Sequence, residues 1–204
     1  MAFVDALNKV ARRIPAWPLY IVAIIPPVVM FYWAVTGQLG VDPVKNLEHE
    51  MGQLGIQVLI LTLAITPLRK YAGVNLLKFR RALGLIGFAY IFLHLLVWLV
   101  LDVQILSQII KDILKRPYIT IGMAGFVMML PLAVTSNNWS IRKLGSKWRV
   151  LHKLFYPAIL LGAVHFVMLV KGWQIEPLVY LIVVTILLAM RVKMPKRLRV
   201  TKTA

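Results

Sequence analysis

The sequence contains no cysteine and little acid. Its 204 residues include 7 Asp and Glu against 24 Lys and Arg. The lack of Cys excludes disulfides, thiolate-bound zinc, iron–sulfur clusters and covalent haem attachment through a Cys-x-x-Cys-His motif. Any cofactor must therefore be held by other ligands.

Charge of either sign is scarce, because charged residues make up 15% of the chain and apolar residues 60%. With a mean hydropathy of +0.80, this composition predicts an all-α, multi-pass membrane protein. A net charge of +17 would suggest a nucleic-acid partner on a soluble chain, but the apolar excess argues against one. The short hydrophilic loops also leave no room for a nicotinamide-binding domain.

Six uncharged or nearly uncharged segments approach the roughly 20 apolar residues that cross a bilayer. The last of them must borrow residues 172–175 or let Arg191 reach towards the membrane surface. We predict one transmembrane domain, residues 1–204, forming a six-helix bundle with helices at about 14–36, 51–68, 82–101, 117–137, 150–170 and 173–191.

The distribution of basic residues predicts the orientation of the bundle. The segment before the first helix, residues 69–81, residues 142–153 and the tail from Arg191 carry 19 of the 24 basic residues. The other loops carry the remaining five and six of the seven acids. Because basic loops stay in the cytoplasm, both termini are predicted to be cytoplasmic, and the positive charge is assigned to topology and anionic lipid headgroups.

Two further patterns belong to the membrane surface. Residues 103–113 alternate apolar and polar side chains at helical spacing, which predicts an amphipathic helix on the outer surface or a docking face. His49 is placed in a solvated outer loop. Seven aromatic residues near helix ends are interpreted as interfacial anchors: Trp17, Trp33, Trp98, Tyr118, Trp139, Trp148 and Trp173.

Two of the four histidines, His94 and His165, are predicted to lie at the same membrane depth. His94 is 13 residues beyond Arg81, and His165 is 14 residues beyond Leu151, which correspond to about 20 and 21 Å at 1.5 Å per residue. Titratable side chains at such depth are costly and indicate function. Each alone could instead bond to a carbonyl of a neighbouring helix.

Two facing imidazoles without nearby thiolate or carboxylate suit axial coordination of a haem iron better than four-ligand zinc. Both axial positions would then be filled, so such a haem carries electrons. Small residues near the two histidines could make room for a porphyrin or could serve ordinary helix packing: Gly84, Gly87, Ala158 and Gly162.

His152 precedes His165 by 13 residues, about 20 Å along a helix. On a straight helix the two would point about 140° apart, although Pro157 could supply a bend. A cofactor role and a hydrogen-bonded interfacial position both remain open for His152.

A series of short segments, in order along residues 15–192, resembles the MsrQ family within the ferric-reductase-like transmembrane proteins. The segments are Asp42–Lys45, Ile65–Leu68, Arg80–Leu85 followed by His94, Arg116–Tyr118, Arg142–Gly145, and Leu151–His152 followed by His165.

This resemblance implies a subunit that binds haem b and FMN in the bacterial inner membrane. Its implied role is to pass electrons from the quinone pool to a periplasmic molybdopterin-containing methionine sulfoxide reductase, MsrP. The subunit would not itself reduce methionine sulfoxide. The alternative is a non-redox transporter or assembly factor with hydrogen-bonded histidines.

The resemblance carries over to His94, His152 and His165 as cofactor-binding residues. The broader ferric-reductase pattern has two histidines on each of two helices, and Arg81 stands where the fourth would be. Near the cytoplasmic side, Arg69, Lys70, Arg80 and Arg81 are possible contacts for the FMN phosphate by their charge.

Overall fold

A computed structural model describes residues 2–170 and 174–191 of the chain, and these form helices without any strand. Eleven α-helices follow one another: α1 (Ala2–Arg13), α2 (Pro18–Val22), α3 (Ile25–Val35), α4 (Pro43–Tyr71), α5 (Arg80–Leu96), α6 (Leu106–Lys115), α7 (Pro117–Val134), α8 (Asn138–Leu144), α9 (Ser146–Leu151), α10 (Phe155–Leu169) and α11 (Ile175–Ala189). Short 3₁₀ segments precede α5 and α10, and a π-helical segment, Val97–Val103, follows α5.

Within the part of the chain that the structure describes, five helical segments are long and apolar enough to cross a membrane: Pro18–Val35, Pro43–Tyr71, Leu77–Val103, Pro117–Val134 and Ser146–Leu169. The all-α membrane class is thereby confirmed. The sixth predicted span corresponds to α11, a shorter apolar helix of 15 residues. A sixth crossing and the cytoplasmic termini stay predictions. Several predicted features lie outside the described residues: Lys171, Trp173 and the basic residues after Arg191.

The second span begins at Pro43 rather than at residue 51. Asp42 caps α4 by accepting a hydrogen bond from the Lys45 backbone N–H (3.3 Å), and Pro43 occupies the first turn, where its missing N–H costs nothing. The prediction placed the start at residue 51 because it searched for an uncharged segment, and Lys45, Glu48 and Glu50 lie in the first turns of α4.

Proline interrupts the backbone hydrogen bonding of two spans, at Pro67 in α4 and at Pro131 in α7. Pro67 cannot donate to the Leu63 carbonyl one turn earlier in α4, and the Arg191 guanidinium hydrogen-bonds that carbonyl instead. Arg191 also donates to the Tyr156 hydroxyl (3.1 Å). The side chain therefore turns into the bundle and does not follow the alternative in which it reaches towards the membrane surface.

The core lies between two pairs of helices. Helix α4 packs along α5, α7 packs along α10, and α11 closes against α10 and α4. The most deeply buried side chains of the larger hydrophobic cluster come from α4, α10 and α11: Leu63, Ile159, Ala163 and Val184. These two pairs position the histidines, since His94 is on α5 and His165 is on α10.

Candidate functional site

His94 lies near the end of α5 and is held by a carbonyl of α4. Its Nδ1 is 2.8 Å from the Glu48 carbonyl oxygen. A carbonyl can only accept, so Nδ1 carries the hydrogen and donates it. The Nε2 lone pair is thereby left available to a metal, as in most histidine ligands.

His165 repeats this arrangement with the other pair of helices. Its Nδ1 is 2.7 Å from the Tyr118 carbonyl oxygen at the start of α7. The same donor rule places the hydrogen on Nδ1 and frees Nε2. Both histidines therefore have the tautomer and the second hydrogen bond that suit metal coordination.

A glycine lies one helical turn after each accepting carbonyl. Gly52 follows Glu48 and Gly122 follows Tyr118, each by four residues. A Cβ at Gly52 would lie 3.0 Å from His94 Nδ1, and one at Gly122 would lie 2.8 Å from His165 Nδ1. Any side chain would push the imidazole away, so these glycines permit the two hydrogen bonds. The sequence analysis did not single out Gly52 or Gly122. Their spacing from Glu48 and Tyr118 can be read from the sequence, but it gains meaning only once these two carbonyls are known to accept from the histidines.

The two rings face each other at a distance that fits one iron. Their centroids are 6.2 Å apart and their planes are inclined by 74°. With metal–nitrogen bonds of about 2 Å and about 1 Å from each nitrogen to its ring centre, two imidazoles on one metal have centroids roughly 6 Å apart. The spacing therefore matches axial coordination by both residues. Among the described residues, no three His, Asp or Glu side chains lie close enough together to hold a metal ion.

Around the two histidines lies a cavity of about 450 Å³, which we call the outer cavity. This volume is within the range of cofactor sites, about 300–1,000 Å³. Gly162 and Ala158 line it, as expected for small residues that make room. In contrast, Gly87 packs against the Leu59 side chain, where an added Cβ would be 2.6 Å away, so its role is helix packing.

The open end of the outer cavity is polar. Lys45, Glu48, Asp102 and Arg116 line it together with Asn46. Arg116 donates to the Tyr118 hydroxyl (3.3 Å), and this hydrogen bond is the main cause that raises the pKa of Arg116. A permanent positive charge therefore stands beside the carboxylates at this end.

The structure near the outer cavity corrects two sequence interpretations, those of His49 and Trp98. His49 is in α4, not in a loop, and its ring packs 5.4 Å from that of Phe166. Trp98 is 7% exposed and lines the cavity, so it is not an interfacial anchor. The Tyr118 backbone holds His165. Trp17, Trp33 and Trp139 do expose their rings, as anchors should.

A second cavity of about 520 Å³, the inner cavity, lies towards the basic loops. His152, Arg80, Arg81, Arg149 and Lys153 line it. The residues assigned to FMN by charge are thus divided: Arg80 and Arg81 line this cavity with His152, whereas Arg69 and Lys70 do not. Arg81 also donates to the Asn138 side chain (2.6 Å).

His152 is held differently from the other two histidines. Its Nε2 lies 3.0 Å from the Thr135 hydroxyl, which itself donates to the Pro131 carbonyl (2.6 Å). The hydroxyl hydrogen is used, so His152 Nε2 donates and carries the hydrogen. Trp148 stacks on the ring with a centroid distance of 3.9 Å and is therefore part of the inner cavity wall, not an anchor.

The helix carrying His152 and His165 is interrupted between them. A 3₁₀ segment, His152–Leu154, separates α9 from α10 three residues before Pro157. Because 3₁₀ geometry has 3.0 residues per turn rather than 3.6, the angle calculated for a straight helix does not apply. The two histidines line separate cavities, His165 the outer and His152 the second one described above.

Comparison with known proteins agrees with this geometry. The profile of the family described as "Ferric reductase like transmembrane component" matches residues 50–163. The chain is 52% identical, over 180 residues, to the "Protein-methionine-sulfoxide reductase heme-binding subunit MsrQ" of Brucella ovis, covering 88% of this chain and 82% of the relative. The chain belongs to the MsrQ family. MsrQ proteins of Brucella canis and Brucella suis match with the same identity and coverage.

The resemblance to MsrQ inferred from short segments is therefore confirmed. The ferric-reductase match includes His94 and His152 and ends just before His165. No solved structure matches this chain significantly.

Proposed function

We propose that this MsrQ chain binds one haem b between His94 and His165 and transfers electrons through it. The observation that carries this proposal is the facing pair of imidazoles, whose centroids are 6.2 Å apart and whose Nδ1 atoms are both bound to carbonyls. Haem iron supplies one-electron chemistry by alternating between its ferric and ferrous states. The haem-binding names of the Brucella relatives support the same cofactor.

The residues around the pair have separate tasks in this proposal. The Glu48 and Tyr118 carbonyls orient the imidazoles and make them more basic ligands. Gly52 and Gly122 let the rings approach those carbonyls. At the polar end, Lys45 and Arg116 provide positive charge that suits the carboxylates of a haem. Both His94 and His165 would hold the iron, so no iron position would be left open to oxygen.

We further propose that the inner cavity holds FMN. Its positive side chains, Arg80, Arg81, Arg149 and Lys153, suit a phosphate, and the stacked Trp148 and His152 rings suit a planar ring system. Within the described residues the lining contains no Asp or Glu. A quinol in the membrane is the proposed source of electrons.

The physiological acceptor proposed for this chain is a periplasmic, molybdopterin-containing methionine sulfoxide reductase, MsrP. The names of the relatives support a methionine sulfoxide reductase system.

The bacterial inner membrane is the proposed location, with the outer cavity on the periplasmic side and the basic loops in the cytoplasm. Alkaline phosphatase fused after Lys45 or Lys111 should be active, and after Lys78 or Lys147 inactive. The reverse pattern would overturn the orientation.

One spectrum tests the haem proposal. The membrane protein, purified from cells that make haem, should show a Soret band that shifts on addition of dithionite, with α and β bands typical of low-spin bis-histidine coordination. Haem extraction should give one non-covalently bound haem per chain. A colourless protein from haem-sufficient cells would instead support a non-redox membrane protein.

A further inference from the structure

The first helix, α1, has three distinct faces. At about 100° per residue, Phe3, Leu7, Val10 and Ile14 fall within a stripe about 60° wide, and all four side chains are exposed. Phe3 is 80% exposed. Lys9, Arg12, Arg13 and Asp5 occupy a second face. Sequence analysis did not identify this helix, because it counted only its basic residues.

The third face of α1 is fixed to the bundle. The Asn8 side chain donates to the Gly73 carbonyl (3.0 Å) and accepts from the Asn75 backbone N–H (2.8 Å). Lys78 donates to the Arg12 carbonyl (2.8 Å), and Ala11 is 6% exposed. The contacted loop leads directly to Arg80 and Arg81 at the inner cavity.

These three faces match a helix that lies flat beside a membrane-embedded bundle. In this position the bundle contacts one face of α1, and the charged face is in contact with solvent. The apolar stripe then contacts the bilayer. Around the helix axis, the face that contacts the bundle (Asn8 and Ala11) is centred roughly 100° from the apolar stripe. A helix that contacts both the side of the bundle and the membrane surface needs about this angle. The stripe also continues into the exposed Trp17 and Ile21 at the start of the first span, a surface that faces lipid.

We propose that α1 is an interfacial helix whose stripe of Phe3, Leu7, Val10 and Ile14 is inserted into the boundary between lipid headgroups and acyl chains. Lys9, Arg12 and Arg13 complement anionic headgroups. Asn8 fastens this lipid-bound helix to the loop before the inner cavity. The partner of the apolar face is therefore the bilayer, not another protein.

The absence of cysteine makes a direct test possible. Single cysteines replace Leu7 or Val10 on the apolar stripe, and Asp5 or Lys9 on the charged face, and each is spin-labelled in the full chain. After reconstitution in vesicles of phosphatidylcholine and phosphatidylglycerol, collision rates with oxygen and with a water-soluble nickel chelate are measured. The ratio of the collision rate with oxygen to the collision rate with the nickel chelate should be several-fold higher for labels at Leu7 and Val10 than for labels at Asp5 and Lys9.

Equal accessibility of all four labels to the nickel chelate would overturn the proposal. Dipolar broadening at Leu7 and Val10 that disappears on dilution with unlabelled chain, without an oxygen preference, would also overturn it, by assigning the stripe to a second copy.

The attachment through Asn8 has its own test. In a Val74→Cys variant, Asn8→Ala should make the label in the loop markedly more mobile, whereas the matched substitution Lys9→Ala should not. An unchanged spectrum with Asn8→Ala would show that Asn8 does not fasten the loop.

Discussion

The two cavities of this MsrQ chain have similar volumes, about 450 and 520 Å³, and both contain histidine. They differ in which ring nitrogen of the histidine donates a hydrogen bond. In the outer cavity, His94 and His165 donate from Nδ1 to carbonyls and keep Nε2 available. In the inner cavity, His152 donates from Nε2 to the Thr135 hydroxyl. Each ring thus keeps one unprotonated nitrogen, Nε2 in His94 and His165 but Nδ1 in His152, and the partner of the other nitrogen determines which one it is.

The cavities also differ in charge. Acids and bases are mixed at the open end of the outer cavity, where Glu48 and Asp102 accompany Lys45 and Arg116. The ionisable residues lining the inner cavity, apart from His152 and Tyr156, are all Arg or Lys. Met129 lines both cavities, and Phe88 of the inner lining stacks on Phe126 of the outer lining at 5.8 Å. Two chemically different sites are therefore separated by a thin apolar wall.

The largest effect should follow removal of an outer histidine. His94→Ala or His165→Ala should abolish the low-spin bis-histidine spectrum, because the remaining imidazole cannot fill both axial positions. Optical spectra and haem extraction of the purified variants measure this. His49→Ala is the matched control, because His49 lines the same cavity with its ring packed on that of Phe166. A normal low-spin spectrum in either test variant would contradict the assignment.

A large effect confined to the inner cavity should follow removal of two of its arginines. Replacement of Arg80 and Arg81 by Ala should lower the flavin content at least about tenfold, equivalent to about 1.4 kcal/mol of lost charge-assisted binding. Haem reduction should slow while the haem spectrum stays intact. The control is the double substitution of Arg142 and Lys143 by Ala, which removes the same charge outside the cavity. Equal flavin loss in both would indicate a general charge effect.

A smaller effect should follow Gly122→Ala, which adds a methyl group 2.8 Å from His165 Nδ1. Displacement of the ring should weaken haem retention by about 1–2 kcal/mol, or roughly five- to thirtyfold. Since Ala favours a helix over Gly by about 1 kcal/mol, haem loss would not reflect a weaker helix. Gly84→Ala at the inner cavity, where the nearest contact would be 3.8 Å, should leave haem retention unchanged. Titration of haem into the apoproteins compares the two.

The smallest effect on the haem spectrum is expected for His152→Ala. The low-spin spectrum should persist because the iron ligands remain. Stopped-flow measurement of haem reduction should show a slower rate if His152 supports the inner carrier and an unchanged rate if it is only hydrogen-bonded to Thr135. Loss of all haem from His152→Ala, together with retention in His165→Ala, would reverse the roles of the two cavities.

The membrane class and the pairing of His94 with His165 could be predicted from the sequence because both depend on distances along the chain. Hydropathy locates the apolar helices, and a constant rise of 1.5 Å per residue converts sequence separation into depth. Rotation about a helix is harder to predict, since it changes wherever the helix is interrupted. The 3₁₀ segment at His152–Leu154 is such an interruption, so an angle calculated for a straight helix does not apply across it.

The sequence by itself therefore determined the membrane class, the pairing of His94 with His165 and the concentration of basic residues in four segments of the chain. Only the tertiary structure decided which nitrogen of each histidine is free, because the Glu48 and Tyr118 carbonyls come from other helices. It likewise revealed why Gly52 and Gly122 matter, and that Arg191 turns inwards to the carbonyl released by Pro67. Hydrogen-bond partners between helices depend on packing and side-chain orientation, which a pattern along one helix does not contain.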